Sequence, residues 1–221
     1  MRVTVLHDET IVDLARLLVE RGRASSPRLI VGIAGIPGAG KSTLAARLAA
    51  AMDEQAGVGQ VAVASMDGFH LATAALHRLG LHERKGSPET FDAERYLTLL
   101  RRCRAGDDVG PVPVYDRASH EPGYRDGPWH CVTPATRVIV TEGNYLLLDR
   151  PPWSAVAAVL DETWLLDVPA AQAKQRIIRR HEQGGRSPAA AQRKYENDLR
   201  NAELVRTASR RPDRVLCWPG E

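Results

Sequence analysis

The sequence predicts an α/β fold of three layers, with helices on both faces of a mainly parallel sheet. Three observations predict it. Short apolar runs of strand length, at Leu29–Ala34, Val61–Met66, Arg137–Thr141 and Thr163–Val168, alternate with stretches that read as helices. The segment GIAGIPGAGKSTLAARL, Gly32 to Leu48, sets a glycine-rich turn between one such run and a series of strong helix formers. Acidic residues, Asp67 and Glu142, stand at the ends of two further runs, where parallel sheets gather their ligands.

Taken in order, Asp8 or Thr10 can cap a first helix that runs to about Glu20, with Ile11, Leu14, Leu17 and Leu18 on one face. Leu29–Ala34 is apolar throughout, as a strand covered on both sides must be. Between Gly35 and Ser42 the chain fits G-x-x-x-x-G-K-[ST], a phosphate-binding loop. Gly35, Gly38 and Gly40, with Ile36, Pro37 and Ala39 between them, let backbone N–H groups turn inward. The helix that opens at Lys41, Ser42 and Thr43 adds its positive end. Lys41 would reach the β and γ phosphates of a nucleotide, and the Ser42 hydroxyl would sit on Mg²⁺. The competing reading is a flexible Gly/Ala turn with a solvated lysine, which needs spacing, strand and helix to coincide by accident. The architecture expected of such a loop is the P-loop NTPase fold.

Beyond the loop come the strand Val61–Met66, a helix at Leu71–Leu79, a charged loop from Gly80 to Thr90, and a helix over Asp92–Cys103 capped by Asp92. Residues 106–135 carry much proline and glycine and predict loop with short strands. Two more strands follow, then helices at Pro169–His181 and Pro188–Arg206 separated by EQGGRSP, and a last strand at Val215–Cys217. No linker divides the chain, so residues 1–221 predict one domain.

The net charge of +3 is mild and the arginines are dispersed, which suits a phosphorylated ligand and does not call for nucleic acid. Three cysteines, 103, 131 and 217, are too few and too far apart for a disulfide framework or a zinc site, and point to a reducing compartment. Acidic residues interrupt the N-terminus where a signal peptide would be apolar, and no run reaches membrane-spanning length. A soluble, cytoplasmic protein is expected.

Three places offer chemistry beside the loop. Asp67, in SMDGFHL, could accept the proton of an attacking hydroxyl or simply cap the next helix. Glu142, in VIVTEGNYLLL, could hold Mg²⁺, bind a substrate hydroxyl, or serve only as a turn residue; Tyr145 after it reads as core or pocket wall. In AKQRIIRRHEQGGRSP, Arg176 and Arg180 share a helix face and Arg186 follows a Gly-Gly hinge. This is the pattern of a helical lid over about residues 176–190, or of an ordinary surface helix. Arg84 and Lys85 could bind an acidic acceptor or be solvated.

In the order GIPGAGKST, MDGFH, PVYDRASH, EGNYLLL and an arginine-rich helix, the chain resembles the small-molecule kinases that include uridine kinase, phosphoribulokinase and bacterial pantothenate kinase. It is most similar to their nucleoside kinase-like or fructose-transport-system kinase-like branch, over residues 28 to 217. The resemblance implies that Asp67 is the catalytic carboxylate, that Lys41 and Ser42 hold phosphate and metal, and that Arg176 and Arg180 are lid arginines. It also implies that Tyr115 and His120 hold the acceptor, with His70 beside them; DRASHEP departs from the uridine kinase pattern. ENDLRNAELV is shared with the same branch, and its Asn197 and Asp198 would line the site or lie on a helix surface. Relatives often pair, so a homodimer is among the expectations.

The function these features imply is transfer of the γ-phosphoryl group of ATP, with Mg²⁺, to a hydroxyl of a sugar, nucleoside or pantothenate-like metabolite. The alternative is a nucleotide-dependent switch or ATPase module acting through a protein partner. Neither the N-K-x-D motif of GTPases nor the L-S-G-G-Q signature of transport ATPases is present.

Overall fold

Every residue of Leu29–Ala34 is buried, as expected of a central strand in a sheet covered on both faces. The computed structural model describes residues 3–127, 129–183 and 188–219. In chain order its strands are β1 (Val3–Val5), β2 (Leu29–Ala34), β3 (Val61–Ser65), β4 (Gly110–Pro111), β5 (Val114–Asp116), β6 (Glu121–Gly123), β7 (Cys131–Val132), β8 (Val138–Gly143), β9 (Glu162–Asp167) and β10 (Arg214–Cys217). The helices are α1 (Asp8–Ala24), α2 (Lys41–Ala56), α3 (Thr73–Arg78), α4 (Ala93–Ala105), α5 (Trp153–Ala157), α6 (Ala170–Gln183) and α7 (Pro188–Ala208).

Six strands form the main sheet in the order β1-β10-β9-β2-β8-β3, and every pairing in it is parallel. The two antiparallel pairs, β4 with β7 and β5 with β6, lie apart from it and account for the proline-rich stretch. Because successive strand residues point to opposite faces, β8 shows where the helices lie. Glu142 reaches Ser42 of α2, while its neighbour Thr141 reaches Tyr96 of α4, so these helices cover opposite faces.

Some elements differ from the expectation. Strand β1 is only three residues long, with Val3 and Val5 exposed at the sheet edge, too short for a periodic signal. The helix expected at Leu71–Leu79 is confined to Thr73–Arg78, and the following loop contains two short 3-10 turns, His82–Arg84 and Pro88–Thr90. Neither Asp8 nor Thr10 caps α1. The capping position is His7, without a side-chain bond, and Asp8 pairs with Arg47. Asp92 does cap α4, its Oδ1 accepting the Arg95 N–H at 3.0 Å.

Glu162, at the start of β9, ties three elements together. Arg21 of α1 donates to one of its oxygens; the Trp164 indole (2.7 Å) and Arg214 Nε (2.5 Å) donate to the other. Burial pushes the carboxyl pKa up, but these three donors and the Arg214 charge outweigh it and hold the group below the ordinary value. A depressed pKa stabilises the fold above the unfolded value and loses that contribution as pH falls through the folded one. Glu162→Gln is therefore expected to cost about 1–3 kcal/mol at neutral pH. The gap to wild type should close on acidification below pH 4 in thermal melts; a gap independent of pH would refute the linkage.

Candidate active site

The loop after β2, residues 35–40, leads directly into α2, and the ends of β2, β8 and β3 are in register beside it. Ala34 pairs with Gly143, and Glu142 with Ser65. Four of the residues singled out from the sequence, Lys41, Ser42, Asp67 and Glu142, share this rim.

Lys41 opens α2 and is buried, its ammonium donating to the Ile36 carbonyl at 3.0 Å and to Asn144 Oδ1 at 2.7 Å. Burial lowers its pKa; the charges of Glu142, Asp67 and Asp198 oppose the shift, and that of Arg180 adds to it. Those groups therefore occupy one electrostatic neighbourhood. Glu142 is buried and accepts from Ser42 Oγ at 3.1 Å and Ser65 Oγ at 2.6 Å. Its pKa is raised, first by burial and then by the charge of Asp67, against the pull of Lys41 and the two serines. A buried carboxylate beside a serine hydroxyl is a hard-oxygen donor set that suits Mg²⁺ completed by phosphate and water. Thr43 lies exposed in the first turn of α2.

Asp67 sits in the 3-10 turn Met66–Phe69 that ends β3. Its N–H donates to Ser65 Oγ at 3.2 Å, so a single hydroxyl connects it to Glu142. The Asp67 carboxylate remains 40% exposed and lies 4.0 Å from His70 Nε2. The turn also seats the β5–β6 hairpin: a Cβ on Gly68 would stand 2.1 Å from the Pro113 carbonyl, so only glycine allows this approach.

On that side His70 stacks on Phe91 (centroids 4.0 Å apart) and meets Tyr115 at 4.8 Å. Lys85 lies over the Tyr115 ring at 5.5 Å and donates to Thr73 Oγ1 at 3.1 Å and to the His120 carbonyl at 2.6 Å. Burial lowers the Lys85 pKa against the opposing charge of Glu121. His70, Lys85, Tyr115 and His120 thus form one cluster next to Asp67.

Two expected substrate residues stand elsewhere. Arg84 pairs with Glu89 and is 61% exposed, because the turn His82–Arg84 carries it outward while Lys85 turns in. Tyr145 belongs to the core: it is fully buried against Phe91 and Trp153, and its hydroxyl donates to the Gly86 carbonyl at 2.6 Å.

Helix α6 lies on the phosphate loop, since a Cβ on Gly38 would stand 2.5 Å from the Ala173 carbonyl. From it Arg176 Nη1 donates to the Ala39 carbonyl at 3.2 Å, and Arg180 is exposed one turn on. Arg186 and the Gly-Gly hinge before it lie outside the described residues.

Several contributors carried no motif of their own. Asn144 takes the lysine ammonium, Ser65 links the Glu142 carboxylate to the backbone N–H of Asp67, and Trp218 donates its indole N–H to Ala39 O at 3.2 Å. The ENDLRNAELV stretch, by contrast, was singled out from the sequence: Asn197 and Asn201 of α7 hold the carbonyls of Lys85 and Gly86 at 3.2 and 3.1 Å, while Asp198 between them is buried and acts on Lys41. The usable signals were the Glu-Gly-Asn sequence after a strand and the serine two residues before Asp67.

Comparison with known proteins bears on the family and the fold. The chain is 36% identical over 197 residues to a Schizosaccharomyces pombe protein described as a candidate uridine kinase, covering 86% of this chain and 83% of that one. A crystal structure from Silicibacter, described as a candidate fructose transport system kinase, superposes with a TM-score of 0.78 at 37% identity, covering 95% of this chain and 98% of the other. A Saccharomyces cerevisiae protein described as a candidate P-loop-containing kinase with a circular permutation shares the fold, with a TM-score of 0.82 at 18% identity over 98% of this chain and all of its own. The family model described as phosphoribulokinase / uridine kinase matches residues 30–205, from the strand that precedes the phosphate loop to the helix that carries Asp198, and the chain belongs to that family of P-loop kinases.

Proposed function

We propose that this chain transfers the γ-phosphoryl group of ATP to a hydroxyl group of a small metabolite, within a single catalytic domain. The observation that carries the reading is the meeting of Lys41, the Ser42–Glu142 pair and the partly exposed Asp67 carboxylate at the ends of three adjacent strands.

The loop amides and Lys41 hold the phosphates and withdraw charge from them. Ser42 and Glu142 would hold Mg²⁺, which would neutralise phosphate charge when bound. Asp67 orients the acceptor hydroxyl in line with the γ-phosphate and takes its proton as the new P–O bond forms and the bond from the γ-phosphorus to the β,γ-bridging oxygen breaks, with ADP as the leaving group. The cluster of His70, Tyr115, Lys85 and His120 lines the acceptor side. Arg176 and Arg180 reach the transferring group from α6, as part of a lid over residues 176–190. The relative from S. pombe points to a nucleoside acceptor and the Silicibacter structure to a sugar; both carry hydroxyls that Asp67 could serve.

The direct test is ADP release by the purified protein with Mg·ATP in the presence of sugars, nucleosides and hydroxy acids, one at a time. At least one acceptor is expected to accelerate turnover tenfold or more, about 1.4 kcal/mol in barrier terms, with appearance of its phosphate ester. A basal hydrolysis that no hydroxyl compound accelerates would favour the ATPase-module reading instead.

A further inference from the structure

Nothing in the family motifs accounts for Trp218, which follows β10 at the far end of the chain and yet touches the phosphate loop. Its indole N–H donates to the Ala39 carbonyl at 3.2 Å, and Arg176 Nη1 donates to the same oxygen at 3.2 Å. The Arg47 guanidinium of α2 lies over the indole ring at 5.6 Å. Gly40, the next residue, has φ +95°, and a Cβ there would stand 3.0 Å from the indole nitrogen. Loop, indole and lid arginine are in close contact here, and a side chain at Gly40 would press on the indole.

We infer that Trp218 is a positioning residue that sets the Ala39–Gly40 peptide for phosphate binding. A trans peptide directs its C=O and its N–H to opposite sides. Holding the Ala39 oxygen outward, toward Trp218, therefore aims the Gly40 N–H at the anion that the loop encloses. In a glycine-rich turn this peptide has an alternative: rotated over, it would present a carbonyl to the phosphates and repel them. The left-handed Gly40 is one element of the set conformation and the indole donor is the other. Arg176 cannot secure it alone, because in the proposed reaction this arginine turns to the transferring phosphate and releases Ala39. Trp218 then remains as the donor to that oxygen, and Arg47 keeps the indole in place.

The inference rests on the kinase reading, and it competes with another use of the same ring. A cavity of about 480 Å³ lined by Asp167, Pro169, Gln172, Arg206 and Trp218 adjoins the indole, so Trp218 could instead be a stacking surface for a nucleobase. Inorganic tripolyphosphate separates the two, because it has phosphates and no base. Affinities of tripolyphosphate and of ADP, each with Mg²⁺, are to be measured by calorimetry for wild type and Trp218→Phe. They are also to be measured for a protein carrying 3-benzothienylalanine at position 218, which keeps the bicyclic shape and lacks only the N–H.

Both variants are expected to melt within a few degrees of wild type and to bind both ligands about tenfold more weakly, the loss of one positioning hydrogen bond. Should Trp218→Phe fold poorly, the benzothienyl protein alone decides. Undiminished tripolyphosphate affinity overturns the inference, whether or not ADP is affected; loss for ADP alone assigns the ring to the base. A wild-type protein that binds neither ligand removes the kinase reading itself and this inference with it, whereas wild-type binding with unchanged variants removes this inference only.

Discussion

Asp67→Asn is expected to abolish phosphoryl transfer, lowering kcat by about 10²–10⁴-fold, while Mg·ATP affinity stays within a few-fold of wild type. The substitution keeps size and hydrogen-bonding shape and removes the ability to take a proton. Its surroundings favour a clean result. The backbone of Asp67 is fixed by the Ser65 hydroxyl and by the turn itself, so the side chain is not needed to hold the turn. The carboxylate is 40% exposed, unlike Glu142, which is buried and taken up by two serines. Two acids at one rim thus have divided environments, and in the proposed reaction the open one meets the acceptor while the enclosed one holds the cation. Steady-state kinetics with the identified acceptor, paired with calorimetry for ADP, provides the check. A variant that turns over at the wild-type rate removes Asp67 from the chemistry. One that loses nucleotide affinity as steeply as kcat would assign it to the metal and phosphates.

The features that were legible in the sequence are those written locally. The phosphate loop, the all-apolar β2 and the strand-end positions of Asp67 and Glu142 each depend on a few adjacent residues, and the structure places them where the pattern did. What stayed hidden depends on partners far along the chain. Asn144 matters because it is 2.7 Å from the ammonium of Lys41, 103 positions away, and Trp218 because β10 returns the chain to Ala39, 179 positions away. No period or spacing encodes such a meeting; only the strand order does. Tyr145 and Arg84 show the same limit in the other direction. Aromatic and basic residues beside motif residues resemble pocket walls, yet one hydroxyl is taken by the Gly86 carbonyl and one guanidinium by Glu89. The short strands β4 to β7 were legible only as loop, since two or three residues carry no alternation to detect.

Arg28→Met should be the most destabilising change away from the site, at about 3–5 kcal/mol, because a buried charged donor that serves three carbonyls disappears. Arg28 immediately precedes β2 and is 2% exposed. Its Nε donates to the Thr136 carbonyl at 3.1 Å, Nη1 to Cys103 O at 3.1 Å, and Nη2 to Thr133 O at 2.9 Å. Cys103 lies in the last turn of α4, so the cation also meets the negative end of that helix. One planar side chain thereby joins the start of β2, the end of α4 and the turn leading into β8. Methionine removes all three side-chain donors: the Thr136 carbonyl loses the guanidinium Nε, while Cys103 O and Thr133 O keep one backbone donor each, from Gly106 at 3.2 Å and Thr136 at 3.0 Å; lysine, a single point of attachment, cannot span the three. The position is a strand length, about 20 Å, from the phosphate loop. The variant should consequently melt about 10 °C or more below wild type while keeping, below its transition, an unchanged KM for ATP. A small loss in melting temperature would mean that water reaches these carbonyls in place of the guanidinium. A selective rise in KM without loss of stability would mean that the far end of β2 reports directly on the loop.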